Sequence, residues 1–323
     1  MKSRPGRERI SAAWLSAAAL MLLGALEGGT AVAQPAATAY VTSERDGAVR
    51  GVDTRSGRIV QEIEVGGRPH NLDMTPDGLL VIATQGTDTV AVVNPRTNPA
   101  KVRRIPLRVP PHDVAIGPDG HTAFVVSERG LLARLDPSGW RVVSRTEVRG
   151  RPHDVTVSRG AAWITDISAR RLFAADEAGV HEVPISIEGH DLAVRPGSNE
   201  LWVTPWHGES TVIVDLDTQR EIASLRAGRT PSHKHLAFTA DGGEAWITEP
   251  ESGRIFVVDA RTRQVVADID LKGSPHHIRL AAGRAYVAAG PRDLDVLDVR
   301  SRTIIDRVRA GSEVHDVALQ PAR

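Results

Sequence analysis

Histidine is the residue type here with the most chemistry to offer. Six histidines, His70, His112, His153, His190, His276 and His315, hold the same place in a recurring motif. The motif reads Arg68-Pro69-His70-Asn71-Leu72, then Pro111-His112-Asp113-Val114 and Arg151-Pro152-His153-Asp154-Val155. It returns as Gly189-His190-Asp191-Leu192, Pro275-His276-His277-Ile278 and Val314-His315-Asp316-Val317. A seventh copy, Pro231-Ser232-His233-Lys234-His235-Leu236, is irregular: Lys234 takes the histidine position, and His233 and His235 flank it. Imidazole suits copper, zinc, iron and nickel, and three or four such groups are enough to hold an ion.

Acids at a second point of the repeat could join them. Glu44, Glu128, Asp166 and Glu249, with Gln85, Trp206 and His207, follow a short apolar run in each copy. An acid beside an imidazole can act as a general base or complete an oxygen–nitrogen metal site. Taken singly, each such acid also reads as a solvated loop residue. Asp113, Asp154, Asp191 and Asp316 directly follow their histidines. Neighbours on a strand point oppositely, so these carboxylates are expected to support the histidine of an adjacent repeat. Arg68, Arg151 and Arg229 would bring positive charge to the rim, although arginine is abundant throughout. The competing account gives the histidines no ligand. A motif can spread by duplication for stability alone, each imidazole bonding within its own unit.

The elements that must carry these residues follow from the period. Seven copies at a spacing of about forty residues mean a repeat architecture. After the histidine motif comes an apolar run, usually headed by a ring: Tyr40-Val41-Thr42, Val81-Ile82-Ala83, Phe124-Val125-Val126, Trp163-Ile164-Thr165, Trp202-Val203-Thr204, Trp246-Ile247-Thr248 and Tyr286-Val287-Ala288. Next comes a run ending in Asp53, Asn94, Asp136, Asp176, Asp215, Asp259 or Asp298, each expected to start a turn by bonding the backbone beyond it. A last run mixes apolar and charged residues, as in Val60-Gln61-Glu62-Ile63, which suits a half-exposed outer strand. The first two runs are joined by Pro76-Asp77-Gly78 or its equivalents.

Each unit is therefore four short antiparallel strands, and radial repetition of such units makes a β-propeller. The first unit starts with its second run, at Tyr40, and the last ends with a first run, His315 to Leu319. The C-terminal strand can complete the N-terminal blade. The expectation is an all-β, seven-bladed propeller occupying residues 34–323 as one domain, with the histidines ringing the mouth of its central funnel.

Repeats of Pro-x-x-Val-Ala-x-x-Pro-Asp-Gly followed by Tyr40-Val41-Thr42-Ser43, with Trp-Ile-Thr or Trp-Val-Thr at 163, 202 and 246, resemble the YVTN family of β-propeller repeats. The resemblance covers the chain beyond its leader. It implies the fold. For function it implies only a range, from exported binding proteins to lactonase-like enzymes and subunits of redox complexes.

Residues 1–33 read as a secretory signal peptide. Lys2, Arg4, Arg7 and Arg9 make a basic start, Ala12 to Leu26 an apolar core, and Ala31-Val32-Ala33 a small-residue cleavage site. The location expected is the periplasm or outside the cell. The whole chain has 40 Lys+Arg against 40 Asp+Glu, so it lacks the bulk basic signature of a nucleic-acid binder. There is no cysteine, which excludes disulfides and thiolate metal sites. No Gly-rich phosphate loop, nucleophile elbow or His-Glu-x-x-His sequence occurs.

Three functions stay open. The first is a binding or scaffold protein with a transition metal, copper or zinc, on His70, His112, His153, His190, His276 and His315. His233, His235, Glu128, Asp166 and Glu249 complete the ligand-facing set. The second is a metal-dependent hydrolase or lyase, similar to lactonases or streptogramin lyases, with Glu128 or Glu249 beside the metal. The third is a structural subunit of an envelope or redox complex.

Overall fold

The computed structural model describes residues 38–320; the leader expected at 1–33 and the domain start expected at 34 lie outside the described residues. The described residues form seven four-stranded antiparallel sheets. The innermost strand of each sheet packs on that of the next, and the last packs on the first, so the sheets close into a propeller.

Blade 1 joins the two ends of the chain. Its strands are Thr38–Ser43, Ala48–Asp53 and Arg58–Glu64, with Val314–Leu319 as the innermost. Tyr40 lies opposite Ala318 and Val41 opposite Val317. Blades 2 to 7 follow in order, their innermost strands being Pro69–Met74, Asp113–Ile116, Pro152–Ser158, Gly189–Val194, His235–Phe238 and Ser274–Ala281.

Burial follows the expected pattern. The second strand of blade 2, Leu80–Thr84, is buried along its whole length. The outermost strand of blade 7, Thr303–Arg309, buries only Val308. The large rings fill the space between blades: Trp202 of blade 5 meets Phe238 of blade 6 edge-on, with centroids 5.3 Å apart at 84°. Each such buried side chain contributes roughly 2–3 kcal/mol of apolar transfer free energy.

The polar residues of the repeat have local work. Asp53 Oδ1 accepts the Ser56 amide at 2.7 Å, and Asn94 Oδ1 accepts that of Arg96 at 3.0 Å. Asp136, Asp176, Asp215, Asp259 and Asp298 make the same turn. Gly78 and Gly120 end their turns at φ +83° and +73°, a region that disfavours a side chain.

The threonine of the Trp-Ile-Thr runs ties blade to blade. Thr165 Oγ1 accepts the Asp154 amide of its own blade at 2.9 Å and donates to the His190 carbonyl of the next at 2.7 Å. Thr204 does the same between Asp191 and Lys234, and Thr248 between His235 and His276. The threonine thus fixes the backbone that presents the histidines.

Candidate metal centre

Adjacent residues on a strand ordinarily face opposite ways. At the histidine motif the ladder is interrupted. Pairing jumps from Pro69 to Leu72, from Pro152 to Val155, from Gly189 to Leu192 and from Pro275 to Ile278. The two skipped residues leave the ladder, as in a β-bulge, and the histidine at the first of them turns into the cavity. Nine of the twelve histidines line one cavity of about 290 Å³: His70, His112, His153, His190, His233, His235, His276, His277 and His315, with Gln85, Glu128 and Trp206.

Four of these imidazoles are held by Nδ1. His112 Nδ1 donates to the His153 carbonyl at 3.0 Å and His190 Nδ1 to the Lys234 carbonyl at 2.9 Å. His153 Nδ1 donates to Asp154 Oδ1 at 3.1 Å, and His70 Nδ1 is bonded to the Glu44 carboxylate. An acceptor at Nδ1 fixes the proton there and leaves the Nε2 lone pair for a ligand. His70 Nε2 and His112 Nε2 lie 3.1 Å apart. Two lone pairs at that distance require a proton or a cation between them. Glu128 Oε1 stands 3.7 Å from both His112 Nε2 and His153 Nε2. His112, Glu128 and His153 make one group whose ligand atoms could converge on a metal ion; Glu44, His70 and His315 make another, as do His233, His235 and His276.

The electrostatics favour neutral imidazoles. Burial, followed by the neighbouring imidazoles, holds His70, His190, His235, His277 and His315 well below the ordinary histidine range. His276 is pushed down to about 4, chiefly by burial. Burial also acts to lower His112, but its bond to Asp154 and that carboxylate's charge outweigh it and raise the pKa. Asp154 is the counterpart: burial opposes its ionisation, yet His153 and His112 hold it well below the carboxylate range. Metal ligands must be neutral imidazole or ionised carboxylate; burial moves most of these imidazoles toward that form, while the Asp154 carboxylate moves His112 away from it.

The structure separates the loop acids. The residue directly after the Tyr-Val-Thr run points back into the blade, and the one beyond it points into the funnel. Glu128, like Glu44, occupies the second place. Asp166 and Glu249 occupy the first and do not line the cavity. Asp166 accepts the Arg151 and Ser168 amides and pairs with Arg171. Glu249 accepts the Arg229 and Thr230 amides and pairs with Lys234. Strand alternation alone would have divided these four acids correctly.

Three more corrections concern the ring. Asp113, Asp191 and Asp316 do not hydrogen-bond the histidines of adjacent repeats. Their carboxylates accept the backbone amides of the next blade, at Val155 (2.8 Å), Leu236 (2.9 Å) and Leu72 (3.1 Å). Of the four, Asp154 alone hydrogen-bonds an imidazole, and it is that of its own repeat, His153. Lys234 leaves the funnel: its Nζ donates to the carbonyls of Gly208, Thr230 and Ser232 and lies 3.2 Å from Glu249. His277 joins the cavity, although only His276 holds the histidine position. Its signal was available, because it occupies the place of Asp113 and Asp154 in the repeat. The rim arginines are paired: Arg68 with Glu44, Arg151 with Glu128 and Arg229 with Asp268. The first two therefore anchor the funnel's own acids.

No protein-family model matches the sequence, and no curated protein does. The fold is widely shared among solved structures. A functionally unknown protein from Desulfotomaculum acetoxidans superposes with a TM-score of 0.77 at 16% identity, covering 88% of this chain and 99% of that one. The periplasmic gluconolactonase of Pseudomonas aeruginosa gives 0.73 at 15% identity over 89% and 99%. Dihydro-heme d1 dehydrogenase, solved in complex with DHE, gives 0.63 at 14% identity over 87% and 74%. At these identities the likeness establishes the seven-bladed propeller and leaves function to the site. No helix among the described residues is long and apolar enough to cross a membrane.

Proposed function

We propose that this protein is an exported propeller that binds a transition metal, copper or zinc, in its histidine-lined funnel. The observation that carries the reading is the set of Nδ1 anchors. His70, His112, His153 and His190 each give Nδ1–H to a carboxylate or carbonyl, the arrangement by which ligating histidines are usually oriented. His112, His153 and Glu128 form the first candidate chelate, with His70 Nε2 beside it. The basic, apolar leader supports loading in the periplasm or outside the cell.

A hydrolytic reading is favoured by one feature. Glu128 and two imidazoles leave coordination positions open, as catalytic zinc sites do. The relevant substrates are lactones and related cyclic esters. Metal-loaded protein that hydrolyses such a panel, and stops when a chelator is added, would establish it.

The direct test is the metal content of untagged protein purified from the export compartment. The expected result is stoichiometric metal that falls by at least one equivalent in the His112→Ala/His153→Ala variant. Folded protein that takes up neither copper nor zinc would overturn the reading. Trp206 supplies a second readout, since its ring stacks on His190 at 5.2 Å and lies 5.5 Å from His153. Copper should quench its emission, and Trp206→Phe should remove most of the quench.

A further inference from the structure

We infer that the funnel holds a second, chemically distinct metal site, the triangle of His233, His235 and His276 across from Glu128. The inference rests on the metal-binding reading above and adds a site to it. The three ring centroids are 5.9 Å (His233–His235), 5.8 Å (His233–His276) and 5.9 Å (His235–His276) apart, a nearly equilateral set. Imidazoles bound at about 2.0–2.1 Å to one tetrahedral or trigonal ion place their centroids about 5–5.5 Å apart. The triangle needs to close by only a few tenths of an ångström. Other pairs in the funnel lie closer together, such as His70 stacked on His315 at 3.8 Å and His235 tilted against His277 at 3.9 Å.

A second observation points to a ligand here. His235 Nδ1 and His276 Nδ1 are buried and have no hydrogen-bond partner, and His235 as a whole is 2% exposed. A buried polar atom without a partner is costly and calls for an explanation. The nearest carboxylate to His235 Nδ1, Asp191, is 3.7 Å away and already accepts the Leu236 amide. Among the described residues no carboxylate belongs to the triangle. Three neutral nitrogen donors favour zinc or copper over magnesium or calcium, and the partly exposed His233 leaves the mouth side open for a further ligand.

Lys234 explains how two histidines of one blade reach this place. Its side chain is drawn inward by Glu249 and three carbonyls, so its neighbours on either side face the funnel. One departure from the repeat thus yields two ligands where the other blades, blade 7 apart, give one.

The test is a titration of metal-free, full-length protein with zinc, and separately with cobalt, read by bound metal and by the cobalt d–d spectrum. The wild type is expected to bind two equivalents. His233→Ala/His276→Ala should keep one, and His112→Ala/His153→Ala should keep the other, with different cobalt spectra. His233→Ala alone removes a ligand that makes no hydrogen bond in the structure, so it keeps the test valid if the double variant misfolds. A wild type that binds a single equivalent, retained in full by His233→Ala, overturns the second site and leaves the proposed function standing. A wild type that binds none overturns both.

Discussion

The imidazole of His153 meets the carboxylate of its chain neighbour Asp154, Nδ1 to Oδ1 at 3.1 Å. The interrupted ladder of blade 4 makes this possible, because a regular strand would send them to opposite faces. Asp154 also stands 3.5 Å from His112 Nδ1, so one buried anion serves two candidate ligands.

Asp154→Asn keeps the shape and removes the charge. Metal affinity is expected to fall by about 10- to 100-fold, with the melting temperature little changed. Asp113→Asn is the control: its carboxylate holds a backbone amide of the next blade, so stability should fall by about 1–3 kcal/mol while the affinity of the folded protein stays the same. Isothermal titration and urea unfolding on both variants separate the two roles. Equal affinity in Asp154→Asn and wild type would remove Asp154 from the site.

Thr165→Val replaces a hydroxyl with a methyl of similar size. Two buried backbone groups, the Asp154 amide and the His190 carbonyl, then lose a partner. A loss of about 2 kcal/mol or more in chemical denaturation is expected. A change below about 0.5 kcal/mol would show that the threonine tie between blades is dispensable.

Lys234→Met leaves Glu249 buried without its cation. The expected cost is about 3–5 kcal/mol, and Lys234→Met/Glu249→Gln should recover part of it. If the double variant is no more stable than the single, the pair is not what holds this loop.

The strands were legible because their signals are local: apolar alternation, a turn acid, a Pro-Asp-Gly. The histidine ring was legible because it repeats. What escaped depends on phase and on contacts far apart in sequence. Glu128 and Asp166 look alike until alternation sends one into the funnel and the other back to Arg151 and Arg171. Lys234 looked like a ring member, and only a partner fifteen positions away, Glu249, draws it elsewhere. His277 was legible only as the occupant of the place of Asp113 and Asp154, and most residues at that place serve the backbone.

Acid should expose the cost of keeping an imidazole neutral. His276 titrates at about 4 in the folded protein and near 6.5 when unfolded. Between those values the unfolded chain binds more protons, so this residue's contribution to stability falls as pH falls through 6.5. Above 6.5 neither state carries the charge and the effect vanishes. Asp316, raised to about 6 by burial, works in the opposite sense, so the whole-protein profile mixes both. The comparison to make is wild type against His276→Gln in metal-free protein. The variant should gain about 2 kcal/mol relative to wild type between pH 7.5 and pH 5, a shift of several degrees in Tm. An unchanged difference at the two pH values would show that His276 is not held neutral.

Blade 1 gives the site a place in time. His315 stacks on His70 and shares Glu44 with it, yet among the described strands it lies on the last in sequence, while Glu44 directly follows the first. Until that strand docks against Thr38–Ser43, the circle of imidazoles has a gap, and the chain is a row of six blades and a remnant. A chain cut short before Val314 forfeits both the clasp and the His315 imidazole. On the metal-binding proposal, uptake would then report that the ring has closed.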